Sequence, residues 1–226
     1  MNIAIFCSGN GSNFQALVNS VKKGEINAHI ALMVCDNPDA YALKRAENEE
    51  IKSLLVQTKA KSKDEYEEEI IKNLGQEKIG LICLAGYMRL LSPQFVQKYR
   101  NKILNIHPAL LPAFKGRYAI KDALDYGVKV SGVTVHFVDE KIDNGPIVLQ
   151  EEVQVYDNDS EEALAARIHQ IEHQLYPRAI KLFVDGKLKV EGRKVKIEPE
   201  FNPVQQFNGI AGYSSFPCKG YFFSVS

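Results

Sequence analysis

Short apolar runs alternate with amphipathic segments through the first half of the chain, and this alternation constrains the fold more than any other feature. The apolar runs are continuous, as in strands that are buried on both faces. Strands separated by helical patterns predict βαβ units, and therefore a parallel sheet with helices on both of its faces. We predict strands at residues 3–7, 29–34, 53–56, 81–85 and 103–107, and helices at 13–23, 40–49 and 64–74.

The second half of the chain has a different pattern. Strands are predicted at 132–138 and 147–155, with the turn-rich segment 139–146 between them. Ser160 precedes a long predicted helix that has two glutamates in its first turn, where acidic side chains stabilise a helix. A hairpin is predicted over 187–195. The expected fold class is therefore α/β, with a Rossmann-like, mostly parallel sheet, helices on both faces and antiparallel strands in the C-terminal half.

Composition narrows the classes of partner and compartment. The chain has 226 residues, with 28 lysines plus arginines and 28 aspartates plus glutamates, so its formal net charge is zero. Nucleic-acid binding needs clustered positive charge, so no nucleic-acid partner is expected. The longest apolar stretch, 79–88, is about half of a membrane span, and no secretory signal is evident, so no membrane partner is expected either. Four scattered cysteines favour a reduced, cytoplasmic protein.

A change in composition marks the last part of the chain. Residues 199–226 contain seven aromatic residues and only two charged ones. We interpret them as an aromatic-rich tail of unknown role, either specific to this chain or added for expression, and residues 1–198 as one domain. Whether the aromatic residues dock on the body or on a neighbouring subunit stays open.

A glycine-rich segment, SGNGSN at 8–13, follows the first strand directly and leads into a helix. Glycines let the backbone approach a ligand closely, and a helix N-terminus offers N–H groups to an anion. A dinucleotide-binding motif would need a third glycine where this chain has Phe14, although Asp36 superficially supports that motif. A single phosphate held by Gly11, Ser12 and Asn13 fits better. A tight turn that binds nothing is the alternative.

Two polar residues end the fifth predicted strand. Asn105 and His107 are two residues apart, so their side chains share a face, at the sheet edge where α/β proteins bind ligands. Asparagine can donate to a developing oxyanion, and histidine can move protons near neutral pH. Asp143 can orient a histidine or act as a base, but it also belongs to an Asp-Asn-Gly-Pro turn signature. Purely structural roles for all three residues stay open at this point.

The segment HQIEH at 169–173 matches H-x-x-E-H, a zinc-hydrolase motif. A third ligand is needed downstream, and the glutamates available there lie in a hairpin and in the tail. We therefore expect no metal, and interpret the segment as a solvated or substrate-facing helix surface.

Five segments, in order along residues 1–193, carry a more specific signal. They are SGNGSN at 8–13, AGYMRLLS at 85–92, NIHPALLPAFKG at 105–116, GVTVHFVDEKIDNGP at 132–146 and QIEHQLYPRAI at 170–180. Together they resemble the folate-dependent glycinamide ribonucleotide formyltransferases of purine synthesis. The resemblance implies transfer of a formyl group from 10-formyltetrahydrofolate to the amine of glycinamide ribonucleotide, by a formyltransferase domain over 1–198 that acts on small molecules as a monomer or homodimer.

The resemblance also implies roles for individual residues. Asn105, His107 and Asp143 match the catalytic trio of the family. Gly11, Ser12 and Asn13 match its substrate-phosphate loop, and Glu172 matches a residue that contacts the ribose. The folate site is implied at Met88, Arg89, Leu90, Leu91, Val138 and Asp139, with Lys141 nearby and Lys63 where some relatives have an arginine near the folate tail.

The chemistry of formyl transfer is compatible with those roles. Amine attack on the formyl carbon builds an oxyanion, which Asn105 and a protonated His107 can stabilise. Asp143 can carry a proton from the amine to the leaving nitrogen, directly or through water. One departure is Tyr118, where the family usually has histidine.

Three alternative functions remain. Methionyl-tRNA formyltransferases share the trio but lack SGNGSN and add a basic domain, and formyltetrahydrofolate hydrolases normally carry a regulatory domain ahead of the same core. A non-catalytic nucleotide-binding module would make the trio structural.

Overall fold

The computed structural model of the protein describes residues 1–57 and 61–198. The tail at 199–226 lies outside the described residues, as do residues 58–60. Within the described ranges, nine strands form one sheet in the order β3-β2-β1-β4-β5-β6-β7-β9-β8. The strands are β1 (Asn2–Cys7), β2 (His29–Cys35), β3 (Ser53–Leu55), β4 (Leu81–Leu84), β5 (Ile103–His107), β6 (Val130–Phe137), β7 (Ile147–Gln154), β8 (Leu188–Glu191) and β9 (Lys194–Ile197). The helices are α1 (Ser12–Lys22), α2 (Tyr41–Asn48), α3 (Lys63–Gln76), α4 (Pro93–Lys98), α5 (Ala119–Tyr126) and α6 (Glu161–Val184).

The first five strands form the predicted parallel sheet. β1 pairs in parallel with β2 and β4, and the same direction continues to β3 and β5. Alternate residues of β1 enter two different cores: Ile3, Ile5 and Cys7 pack on one side of the sheet, and Ala4 and Phe6 on the other. Helices α1, α2 and α6 cover the first side, and α3 and α4 cover the second. Burial on both faces explains why these strands are continuous apolar runs.

The chain reverses its direction of travel across the sheet between β1 and β4. It moves outward from β1 through β2 to β3, then returns to place β4 and β5 on the other side of β1. The loops that leave the carboxyl ends of β1 and β4 therefore diverge, and a crevice opens between them. This topological switch point positions the candidate site.

Beyond β5 the sheet becomes antiparallel, as predicted. β6 pairs antiparallel with β5 and with β7, and the β8–β9 hairpin joins through a parallel contact between Ile147 and Lys194. The buried Tyr176 of α6 donates its hydroxyl to the carbonyls of Leu84 and Leu104, at 2.9 and 3.0 Å, and so fixes α6 across β4 and β5. The predicted fold class is confirmed.

Two helices were not predicted, and both are short. α4 has 6 residues and α5 has 8, so neither displays a long period of apolar positions. α4 nevertheless has a recognisable start, because the Ser92 hydroxyl accepts from the Phe95 N–H at 3.1 Å and Pro93 follows. No helix in the described ranges is long and apolar enough to cross a membrane.

Gly145 allows a close backbone approach that any side chain would block, which gives a first prediction. A Cβ atom at this position would lie 1.8 Å from the Phe137 carbonyl oxygen. We expect Gly145→Ala to lower the free energy of unfolding by about 1–3 kcal/mol, the usual cost of forcing atoms into a packed site. Urea titration followed by circular dichroism measures this loss.

The matched control is Gly75→Ala in α3, where a Cβ would meet nothing within 4 Å. Alanine favours a helix over glycine by up to about 1 kcal/mol, so this variant should be as stable as the parent or more so. Equal stability of the two variants would contradict the packing argument.

Candidate active site

Two adjoining cavities lie at the carboxyl ends of the central strands. The larger, of about 470 Å³, is bounded by the loops after β1, β4 and β5 and by α6. The smaller, of about 240 Å³, lies against α3, the β4–α4 loop and the segment between β6 and β7. Asn105 and Asp143 line both cavities. Two ligands bound in the two cavities would therefore meet at a shared wall, which these two side chains form together with Tyr87, Arg89, Leu90 and Ile142.

The glycine loop has the geometry of an anion site. Gly11 has a φ of 75°, and a Cβ there would lie 2.8 Å from Cβ of Ala42, so only glycine fits without displacement. No side chain caps the N-terminus of α1, which begins at Ser12. The first N–H groups of a helix have no partner within the helix, so they are available to an anion in the larger cavity.

A dinucleotide at this loop is disfavoured by the surroundings. Phe14 is completely buried and fills the space that a third glycine would leave for close packing of the helix on the sheet. Asp36, which superficially supported that motif, forms an ion pair with Arg89 at 2.8 Å. The interpretation as a phosphate loop is therefore retained as a prediction.

Glu172 joins the glycine loop to α6. Its Oε2 atom accepts from Asn13 Nδ2 at 2.9 Å and from His169 Nδ1 at 2.8 Å, and the side chain is buried. The hydrogen bond to Glu172 raises the pKa of His169. Sequence reasoning named Glu172 but assigned no role to His169, although the one-turn spacing places both on one helix face.

The H-x-x-E-H segment consists of neighbouring side chains on α6. The rings of His169 and His173 stack with their centroids 6.3 Å apart. In the part of the chain that the structure describes, no group of three or more histidine, cysteine, aspartate or glutamate side chains is arranged to hold a metal ion. Glu172 is instead engaged with the glycine loop.

The three predicted catalytic residues lie together. Asp143 Oδ2 is 3.5 Å from His107 Nδ1, and its Oδ1 is 3.5 Å from Asn105 Nδ2. The Gly116 N–H donates to Asp143 Oδ2 at 2.7 Å. On its other side, the His107 ring donates through Nε2 to the Phe114 carbonyl at 2.8 Å. The other ring nitrogen, Nδ1, faces the Asp143 carboxylate. Because Nε2 carries the ring hydrogen, Nδ1 is the atom that can gain or lose a proton.

A fourth polar side chain belongs to this cluster and was not predicted. His136 on β6 lies directly opposite Asn105 on β5, and its Nε2 is 3.1 Å from Asn105 Nδ2 and 3.7 Å from Asp143 Oδ1. Its Nδ1 donates to the Phe137 carbonyl at 2.8 Å. The alternation of Thr134 and His136 along β6 is a signal that both face one side. The register that aligns His136 with Asn105 is not visible in the sequence.

Burial and charge oppose each other in this cluster. Burial lowers the pKa of His107 below its ordinary value, while the Asp143 carboxylate acts in the opposite direction. Burial acts to raise the pKa of Asp143, but the His136 and His107 rings and the Gly116 N–H outweigh it and hold that pKa below its usual value. The site thus combines an ionised Asp143 with a His107 that is neutral at neutral pH. This differs from the protonated His107 assumed from the sequence.

The segments implied in folate binding surround the smaller cavity. Lys63 at the start of α3, Leu91 in the β4–α4 loop, and Val138, Asp139 and Lys141 after β6 line it. Arg89 and Leu90 line both cavities, and Met88 lines the larger one. Met88 is 51% exposed and Leu90 is 64% exposed, although both are apolar. Apolar side chains exposed at the mouth of a cavity favour a flat organic ligand there.

Tyr118, the departure from the family pattern, lies at the start of α5 and is exposed. It lines neither cavity, whereas Gly116 and Arg117 line the larger one. A replacement of histidine by tyrosine at this edge therefore leaves the trio itself undisturbed.

Comparison with known proteins identifies the family. A family profile described as "Formyl transferase" matches residues 1–180. The chain belongs to the formyl transferase family. The phosphoribosylglycinamide formyltransferase of Bacillus subtilis is 46% identical over 179 residues, covering 79% of this chain and 92% of the relative. The protein of the same name from Escherichia coli is 36% identical over 208 residues, covering 92% and 98%.

A solved structure agrees with the sequence comparison. The crystal structure of glycinamide ribonucleotide transformylase 1 from Symbiobacterium toebii has a TM-score of 0.86 and 42% identity, covering 88% of this chain and 94% of that chain. The trio, the glycine loop and the β4–α4 loop of this formyl transferase all lie within the matched residues 1–180.

The opposing influences on His107 give a prediction for this formyl transferase. We expect the His107 ring to titrate below its ordinary value of about 6.5, because burial dominates. Asp143→Asn removes the carboxylate that favours the imidazolium, so the pKa of His107 should fall further. The Cε1–H resonance, followed by NMR as pH changes, measures both values.

The exposed His29 provides an internal reference, since its chemical shifts should not differ between the parent and Asp143→Asn. A His107 midpoint that rises in the variant would show that Asp143 does not favour the protonated ring.

Proposed function

We propose that this protein transfers the formyl group of 10-formyltetrahydrofolate to the amine of glycinamide ribonucleotide, in purine synthesis. The observation that carries the proposal is the position of Asn105 and Asp143 on the wall of both cavities. A reaction between two small molecules needs its catalytic groups where the two ligands meet, because holding reactants together supplies much of the rate enhancement.

The ribonucleotide belongs in the larger cavity. Its phosphate is placed at the N-terminus of α1, on Gly11, Ser12 and Asn13, where N–H groups and the helix dipole favour an anion. Glu172, held by Asn13 and His169, is placed to accept hydrogen bonds from the ribose hydroxyls. The amine then extends towards Asp143.

The formyl-folate belongs in the smaller cavity. Its flat ring system is placed against Leu90, Leu91 and Val138, which line that cavity. Lys63 and Lys141, on the same wall, are placed to attract the acidic tail of the folate. No metal has a role in this scheme, since carbonyl polarisation is assigned to hydrogen-bond donors.

The transfer is direct. The amine nitrogen forms a bond to the formyl carbon, and the carbonyl oxygen gains the electron pair and becomes an oxyanion. The nitrogen–carbon bond to the folate then breaks, which gives formylated ribonucleotide and tetrahydrofolate. Asp143 takes the proton that the attacking nitrogen loses, directly or through water, and returns it to the leaving nitrogen.

Asn105 and His107 stabilise the intermediate. The Asn105 Nδ2 group is 3.5 Å from Asp143, a long contact that one of its hydrogens can exchange for a contact with the oxyanion. The developing oxyanion adds negative charge near the His107 ring, so uptake of a proton from solvent at Nδ1 becomes favourable as the intermediate forms, and the proton returns to solvent when the intermediate collapses. Interactions that are stronger with the intermediate than with the bound substrates raise kcat, whereas interactions that are equally strong with both only tighten substrate binding.

A covalent route through any of the three cysteines that the structure describes is disfavoured. Burial raises the pKa of Cys7 and of Cys83 far above the ordinary value, so neither supplies a thiolate near neutral pH. Cys35 is also buried, and burial raises its pKa as well. These free thiols are compatible with the cytoplasm, which we propose as the compartment.

Hydrolysis of the formyl-folate is the rival reaction that shares this site. Water would replace the amine, and formate would be released. The glycine loop and the Asn13–Glu172 contact favour transfer, because hydrolysis needs no ribonucleotide site. Product analysis separates the two: the proposal requires formylated ribonucleotide in proportion to tetrahydrofolate, and formate alone would refute it.

The chain organisation and assembly complete the proposal. Residues 1–198 form the formyltransferase domain, and the tail at 199–226 takes no part in the chemistry, because every proposed site residue precedes it. The protein acts as a monomer or a homodimer on small-molecule substrates, without nucleic-acid or membrane partners.

The role of Asp143 leads to a quantitative prediction. Asp143 has a φ of 45°, a conformation that asparagine adopts readily, so Asp143→Asn keeps the backbone and removes the charge. We expect kcat to fall by at least about a hundredfold, the usual loss of a positioned proton-transfer group. Initial rates with saturating formyl-folate and ribonucleotide, monitored by folate absorbance, give kcat.

The matched control is Asp157→Asn, a loss of the same charge at an exposed position paired with Lys129. It should leave kcat within about twofold, since exposed ion pairs contribute little. If Asp143 only shapes its turn, Asp143→Asn will instead have a lower melting temperature and unchanged activity per folded molecule.

A further inference from the structure

The β4–α4 loop, residues 85–92, is hydrogen-bonded to helix α3 at its C-terminal end. Glu67 of α3 is only 5% exposed, yet it is a carboxylate that lines neither cavity. Its Oε1 accepts from the Ser92 N–H at 2.7 Å, and its Oε2 hydrogen-bonds the Ser92 hydroxyl. Both hydrogen bonds go to the residue where the loop ends and α4 begins.

Fold stability alone gives little reason for a carboxylate here. Burying a carboxylate is costly unless hydrogen bonds compensate it. The N-terminus of α4 is already capped by the Ser92 hydroxyl, which accepts from Phe95 N–H at 3.1 Å. What Glu67 adds is a fixed position for the Ser92 backbone, through hydrogen bonds strengthened by the charge of the acceptor.

The rest of the loop is held at three further points. The Tyr66 hydroxyl, next to Glu67, hydrogen-bonds the Tyr87 hydroxyl. The Met88 N–H donates to Ser8 Oγ at 2.9 Å, and Arg89 pairs with Asp36 at 2.8 Å. Leu90 and Leu91 lie between the Arg89 and Ser92 anchors and line the smaller cavity. The Glu67–Ser92 hydrogen bonds therefore fix the downstream end of the segment that carries these two leucines.

We propose that Glu67 is a positioning residue for the folate site: through Ser92 it fixes Leu90 and Leu91 against the ring system of the folate. This inference rests on the proposed function, which places the folate in the smaller cavity. It predicts a larger effect on the folate than on the ribonucleotide. Leu91 lines only the smaller cavity, and although Leu90 lines both, the residues assigned to the ribonucleotide phosphate and ribose lie on the glycine loop and α6.

The kinetic test compares three substitutions in α3. Glu67→Ala should raise KM for 10-formyltetrahydrofolate by about tenfold or more, the scale of losing hydrogen bonds to a charged group. KM for the ribonucleotide should stay within about twofold. Glu67→Gln should restore the folate KM to within about threefold, because its amide oxygen still accepts from Ser92. Glu68→Ala, an exposed neighbour, is the matched control and should match the parent.

Hydrogen–deuterium exchange measures the anchoring without relying on turnover. In the absence of ligands, Glu67→Ala should take up deuterium faster than the parent in a peptide covering residues 85–92, and Glu67→Gln should not. If Glu67→Ala does not fold, Glu67→Met is tested in the same two ways, because methionine fills the buried space, offers Ser92 no oxygen acceptor and leaves the Ser92–Phe95 cap in place.

The outcomes separate the inference from the proposed function. Faster exchange together with a selective rise in the folate KM supports the inference. Unchanged exchange, an unchanged folate KM, or an equal rise in both KM values overturns it. A parent protein that forms no formylated ribonucleotide refutes the proposed function itself, a result that is visible before any variant is made.

Discussion

The order of the strands is the constraint on which the site depends. Because β2 and β4 lie on opposite sides of β1, the loops after β1 and β4 leave the sheet edge in different directions. One residue, Ser8, connects them: its N–H donates to the Gly86 carbonyl at 3.2 Å, and its hydroxyl accepts from Met88. The glycine loop and the β4–α4 loop therefore form two walls of the site and are joined by hydrogen bonds at the end of β1.

The change from parallel to antiparallel pairing has an equally direct consequence. β6 runs back alongside β5, so that His136 lies opposite Asn105 and Thr134 opposite His107. The chain then returns through the segment that carries Asp143, which meets residues of both strands. A β7 parallel to β6 would need a long crossover in place of the short connection 138–146 that joins these two antiparallel strands. The acidic group reaches the two histidines because the connection is short.

The sequence predicted the sheet better than the polar cluster. Continuous apolar runs located the buried strands, and β5 has the predicted bounds at Ile103–His107. Asn105 and His107 followed from their spacing on β5. Asp143 was a candidate from its residue type, but its segment is also an ordinary turn signature, so the catalytic interpretation depended on the family resemblance. His136 was missed because its position depends on the register between β5 and β6, which is set by packing of whole strands.

Other omissions have similar causes. His169 binds Glu172, but a histidine one helical turn from a glutamate also occurs on many exposed helix faces. The charge state of His107 was assigned from its ordinary behaviour, whereas burial disfavours the cation. Desolvation depends on how much of the chain covers a group, and a local sequence pattern contains no such information.

The backbone at position 143 limits how this site can evolve. Its left-handed conformation, with a φ of 45°, is adopted readily by glycine, asparagine and aspartate and poorly by most other residues. Glutamate would keep the negative charge but would strain the chain, whereas glycine and asparagine would suit the chain but lose the charge. Substitutions at this position are therefore restricted by two requirements: the left-handed backbone conformation and the negative charge. Aspartate is the residue that satisfies both.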